Sequence, residues 1–207
     1  MEPTKRIFRK YELFFILGIL LSALILLAAV LSAFWPKYEE RFFELGLLGK
    51  NKRAEEYYPG NSSTLGVGSH VLWYIYLHNH MGSPQNVSVR LKLLNSTMQA
   101  PDDRNHEPSP FPYFIEFPVS LAIDETLLVP VLWSVVEASS QGGNVTIIRL
   151  RVDNQIVSMS VSSSERFRMV FELWVFDQSS QQYRFRWDSG KGFYSASVYM
   201  WFNVAIP

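Results

Sequence analysis

No cysteine occurs among the 207 residues. Disulfide staples, thiolate metal ligands, a nucleophilic thiol and a lipid-modified cysteine anchor are all excluded, so any folded part stands on its apolar core. An excess of one charge is lacking as well, since 19 Lys+Arg meet 19 Asp+Glu. That balance excludes the basic footprint of nucleic-acid binding. Histidine is scarce, with four in the chain. No Gly-x-Ser-x-Gly context surrounds the serine-rich Ser158–Ser164 stretch, and no histidine follows it. An acid–base pair therefore has little to be built from, and no enzyme or cofactor is expected.

What is present in quantity is apolar. Leu13–Phe34 is a 22-residue run without a charge. As a helix it is about 33 Å long, enough to cross a hydrocarbon core of about 30 Å. Lys5, Arg6, Arg9 and Lys10 precede it, whereas Lys37 and Arg41 are the only basic residues close behind. The positive-inside bias places residues 1–12 in the cytoplasm and the rest outside the cell membrane. Tyr11, Phe14 and Phe15 at one end, with Trp35 and Tyr38 at the other, suit the two interfaces. The rival reading is a cleaved signal peptide ending near Val30-Leu31-Ser32, but its apolar stretch would be shorter than this one. An uncleaved signal anchor of one span is the expectation.

The helix also carries small residues at Gly18, Ser22, Ala29 and Ala33. At 100° per residue they fall on one narrow face, including two small-xxx-small pairs, which lets helices approach closely in lipid. A partner helix on that face is one expectation. Small residues common to any membrane helix are the other.

Beyond the span, 15 basic residues face 17 acidic ones. Residues 35–64 read as a membrane-proximal segment with a first strand, and 65–207 as the extracytoplasmic domain. Four glycosylation sequons start at Asn61, Asn86, Asn95 and Asn144, all past the membrane run, where composition alone gives about one. N-linked glycans are thus expected on the same side.

Period-two alternation dominates this part. Val71, Trp73, Ile75 and Leu77 share a face, and Met81–Pro84 supplies a turn. Val87, Val89, Leu91 and Leu93 then point inward, with Ser88, Arg90 and Lys92 outward. Residues 95–113, rich in proline and aspartate, read as a long solvated loop. Further strands are expected at 114–121, 127–135, 145–152, 155–162, 166–176, 183–187 and 195–204, with turns at Gly142-Gly143 and 188–192. About nine or ten strands without a helical period predict an all-β, immunoglobulin-like sandwich behind one N-terminal membrane helix.

Three segments resemble an archaeal family of predicted membrane proteins, the domain of unknown function sixteen-sixteen. They are Phe42–Gly49, Phe167–Phe176 and Trp201–Val204. The Leu77–Leu93 hairpin resembles adhesion-type β-sandwich modules. The resemblance implies a membrane segment, a β-rich exterior and an archaeal envelope, and it brings no activity.

Three constellations could carry chemistry. His78 and His80 share a strand face as metal ligands would, but His70 lies some 26 Å along the strand. With no carboxylate in register, no metal is expected there. Asp102, Asp103 and Glu107 lack calcium-loop spacing. Tyr74, Tyr76, Trp174, Trp187, Tyr199 and Trp201 form a sugar platform or, as expected of large aromatics, part of the core. The reading that results is a non-catalytic, membrane-anchored envelope protein whose sandwich binds a protein or envelope component. An accessory subunit of a membrane complex and a glycan-binding module are its alternatives.

Overall fold

The computed structural model describes residues 3–34 and 40–206, in two compact units that divide after Glu39. The first is one helix, α1 (Pro3–Phe34). It starts ten residues before the apolar run, because proline suits a first helical turn and no breaker follows. Phe14–Ser32 is long and apolar enough to span a membrane, and none of it is buried. Trp35, Lys37 and Tyr38 lie outside the described residues.

The second unit is an immunoglobulin-like β-sandwich. Its strands are β1 (Phe43–Leu48), β2 (Thr64–Gly66), β3 (Val71–Asn79), β4 (Gln85–Asn95), β5 (Ile115–Leu121), β6 (Thr126–Gln141) and β7 (Asn144–Val152). They continue as β8 (Gln155–Ser163), β9 (Phe167–Asp177), β10 (Gln182–Arg184), β11 (Trp187–Asp188), β12 (Phe193–Tyr194) and β13 (Ser197–Ala205). One sheet runs β1-β3-β6-β7-β8 and the other β2-β13-β9-β4-β5. All pairings in these two sheets are antiparallel except β2 with β13, so an early edge strand lies parallel to the last one. Sequence neighbours β3 and β4 sit in opposite sheets, as do β5 and β6. That exchange wraps the chain around a shared core in the manner of the immunoglobulin fold.

Strand parity builds the core. Trp73, Ile75 and Leu77 of β3 and Val131, Trp133 and Val135 of β6 meet Val89 and Leu91 of β4, Phe171 and Leu173 of β9 and Phe202 of β13, all at 1% exposure or less. Trp73 sits 5.0 Å from Trp133, 5.7 Å from Tyr58 and 5.9 Å from Phe171, ring to ring. Its indole N–H donates to the carbonyl of Tyr57 at 2.5 Å. Gly142 and Gly143, with φ of 60° and 82°, make the two-residue turn joining β6 to β7, the conformation that such hairpins demand and glycine permits.

Four expectations need correction. The Leu77–Leu93 hairpin does not form: β3 and β4 follow one another in the chain but pair in opposite sheets, so Met81–Pro84 carries the chain across the sandwich instead of closing a hairpin. The expected strand 127–135 is the 16-residue β6, which continues through register shifts after Val135 and Glu137. The expected strand 183–187 divides into β10 and β11, which join different sheets. The largest departure is on β4, where Ser88 and Lys92 are buried despite their outward parity. Ser88 is held by Glu116 of β5, and the 95–113 segment, expected to be solvated throughout, is docked over Lys92. Ser109, itself buried, donates its amide to Glu172 Oε1 at 2.8 Å and accepts Lys92 Nζ on its carbonyl at 2.6 Å. Lys92 and Glu172 pair at 2.8 Å beneath it.

Candidate interaction surface

The aromatic residues settle differently from expectation. Of the six weighed, only Trp187 is buried, while Tyr199 is exposed and Tyr74, Tyr76, Trp174 and Trp201 are half-buried. Parity is the reason: 74 and 76 alternate with core residues 73 and 75, 174 with 173 and 175, and 201 with 202. Trp187 meets Phe43 edge-on at 5.2 Å. The other five line the outer faces, where cationic side chains lie over Tyr74, Trp174 and Trp201. Lys52 lies over Tyr74 at 5.3 Å, and Arg90 lies 4.1 Å from the Trp174 ring centre and 4.7 Å from that of Tyr113.

On β9 and β13 this becomes a strip. Arg166 lies 4.1 Å from the centre of Trp201, Arg168 5.0 Å from the same ring and 5.8 Å from Tyr199. The register makes it, since Trp201 stands opposite Arg168 and Phe202 opposite Phe167. Neither arginine pairs with a carboxylate among the described residues; Arg168 reaches only the carbonyl of Met98. Burial holds the Arg168 guanidinium below its ordinary pKa, as a desolvated cation requires. Behind the strip, Tyr58 donates to the Trp201 carbonyl at 2.6 Å, and burial pushes its phenol upward. The sequence holds every residue of this strip, but only the β9–β13 pairing brings them together.

His78 and His80 do share a face, with ring centres 3.9 Å apart. The expectation that no carboxylate stands in register is wrong. Glu44 lies directly opposite His78 across β1 and β3, and its Oε1 is 3.0 Å from His80 Nε2. Hydrogen bonds from His80 and Tyr76 hold the Glu44 carboxyl below the usual range. Asp124 approaches from the turn between β5 and β6, completing the one group among the described residues that could hold a metal ion. Neither carboxylate was legible, because each reaches the histidines through long-range pairing.

The sequons divide. Asn61, Asn86 and Asn144 are exposed. Asn95 spends its amide nitrogen on the Ser162 carbonyl at 2.8 Å, while its oxygen accepts from Thr97 and Met98. On α1, the Ser22 hydroxyl donates to the Gly18 carbonyl at 2.8 Å, and a Cβ added at Gly18 meets nothing within 4 Å. Ala29 is exposed, and Ala33 lies in the helix with its side chain outside the described residues.

Chemistry elsewhere is quiet. Asp102 accepts from the Arg104 and Asn105 amides, a local turn rather than a calcium cradle. Ser158 and Ser160 are exposed on β8. An open cleft includes Asp177, Arg184, Trp187 and Asp188. Hydrogen bonds from Ser179 and Ser180 lower Asp177 to about 2.

No family model matches the chain, and no curated protein does. Among solved structures, the chain is similar to the CARDB domain of a Pyrococcus furiosus protein, solved in complex with di-metal ions. That likeness has 9% identity and a TM-score of 0.40, and covers 83% of this chain and 99% of the other. At that level it lends no function to this chain.

Proposed function

We propose that the chain is a non-catalytic, single-pass membrane protein whose extracytoplasmic sandwich binds an acidic segment of a protein partner. The observation that carries this reading is the arginine–aromatic strip. A guanidinium stacked on indole is partly desolvated already, so a carboxylate that reaches it meets a cation with little water left to displace. Arg166 and Tyr199 are exposed, while Arg168 is buried beneath them on the Met98 carbonyl, so Arg166 offers positive charge beside apolar area. A glycan-binding role is less well served. Sugars stack on open ring faces, and both arginines lie over Trp201. The exposed apolar surface of Phe14–Ser32 calls for lipid around it, and an envelope location follows from the flanking charges and the sequons. The small residues Gly18, Ser22, Ala29 and Ala33 motivate, as a second reading, a neighbouring helix and thus an accessory subunit of a larger complex.

The test is affinity capture from native membranes with mass spectrometry, comparing the wild-type chain with Arg166→Glu/Tyr199→Ala. Both substitutions are at exposed positions, and an unchanged thermal melt verifies the fold. The expected result is a defined protein partner that is lost with the double variant and released by salt. Capture of the same partners by both chains would overturn the reading. The same spectra are expected to show sugar at Asn61, Asn86 or Asn144 and none at Asn95.

A further inference from the structure

We infer that His78, His80 and Asp124 form a binding site for one transition-metal dication of the zinc class. One ligand atom from each of the three lies within 4.8 Å of the others. Zinc bonds of about 2.0–2.1 Å place tetrahedral ligands about 3.4 Å apart, so closure needs side-chain movements of roughly 1.5 Å. Two imidazoles and a carboxylate, with water in the fourth position, are a zinc donor set; calcium and magnesium require oxygen donors.

The surroundings already do what metal sites do to their histidines. His78 Nδ1 is held by the Thr126 hydroxyl at 2.6 Å, while its Nε2 is buried and has no hydrogen-bond partner. His80 Nε2 is held by Glu44 at 3.0 Å, leaving Nδ1 of that ring for the metal. An outer partner on the far nitrogen of each ring fixes tautomer and orientation, and a carboxylate in that role raises the ligand's basicity. Phe42 stacks on one side of His80 at 4.3 Å and His78 on His80 at 3.9 Å, with the two imidazole planes 25° apart, so closing on one ion requires the His78 ring to rotate until both in-plane lone pairs converge.

Asp124 is positioned with equal care. Its amide donates to the Asn79 carbonyl at 3.0 Å, and the Asn79 amide donates to the Glu125 carbonyl at 3.1 Å. The Asn79 side chain also donates to the Ala122 carbonyl at 2.8 Å. The turn is thus fastened to the residue between the two histidines. Asp124 itself has φ of 54°, a left-handed conformation that aspartate tolerates better than most side chains. A bound metal would join β3 to the β5–β6 turn, and through Glu44 to β1, in a chain with no disulfide to do so.

The experiment is calorimetric titration of the untagged, chelator-treated full chain in detergent with zinc chloride, repeated with cobalt(II) to read tetrahedral absorption. One equivalent of zinc should bind, with no heat from calcium or magnesium. His78→Ala and Asp124→Asn should abolish the saturable phase, and Glu44→Gln should weaken it by about 10–100-fold, as loss of an outer partner does. His106→Ala, far from the cluster in sequence, should bind as wild type. Asp124→Asn keeps the turn conformation, so folding does not confound it. Failure of the wild-type chain to bind one equivalent, or undiminished binding by Asp124→Asn, would overturn the inference.

Discussion

Lys92→Met is expected to lower folding stability by about 3–5 kcal/mol, the cost of leaving one partner of a buried ion pair alone. The Lys92 and Glu172 side chains are 4% and 0% exposed. Glu172 also accepts from the Ser109 amide and the Trp174 indole, so its carboxylate cannot turn toward water without breaking both. Lys92→Met/Glu172→Gln removes the orphaned charge and keeps an oxygen for one of those two donors, which bond different carboxylate oxygens. It should recover more than half of the loss. Urea denaturation in mild detergent, followed by tryptophan fluorescence, measures both. A single variant within about 1 kcal/mol of wild type would mean that the 95–113 segment is not fastened as described.

Trp73→Ala should cost a comparable amount, about 3–5 kcal/mol, through the cavity left by a large core aromatic. The ring is fully buried and stands where both sheets meet Tyr58. Its loss also strands the Tyr57 carbonyl that the indole serves. Trp73→Phe keeps most of the apolar contact and loses only that hydrogen bond and some volume, so a cost of about 1–3 kcal/mol is expected. The same denaturation series checks the order. Equal costs for the two variants would contradict the packing argument.

The contrast between these two residues marks what the sequence makes legible. Trp73 shares a face with Ile75 and Leu77, and alternation alone places it inward. Lys92 reads as outward by the same rule, and parity was right about its direction. What parity cannot report is a segment that folds back over the outer face, since Ser109 meets Glu172 across 63 residues. The aromatic residues repeat the lesson. Tyr74, Trp174 and Trp201 have outward parity, yet a general preference of large rings for interiors suggested the core. Arginine and lysine cover them instead, which satisfies rings that are apolar on the face and polar at the edge.

The candidate sites were half visible. His78 and His80 announce themselves by spacing, but Glu44 arrives through the β1–β3 pairing and Asp124 through a turn whose geometry depends on Asn79. Arg166 and Arg168 sit in plain view two residues apart, and only the register with β13 sets Trp201 between them. Asn95 looks like an ordinary sequon until its amide is followed to Ser162. In each case the missing information is a contact between distant segments, not a residue type.

The absence of cysteine makes the central claim directly measurable. Thr4→Cys and Gln178→Cys each introduce a single thiol, one ahead of the apolar run and one at an exposed turn of the sandwich. Intact cells are treated with a membrane-impermeant maleimide, then permeabilised and treated again. An anchored protein with its tail in the cytoplasm should label at Gln178→Cys at once and at Thr4→Cys only after permeabilisation. Labelling of Thr4→Cys in intact cells, or of Gln178→Cys only after permeabilisation, would contradict that orientation. Loss of the Thr4→Cys label under both conditions would show a cleaved leader in place of an anchor.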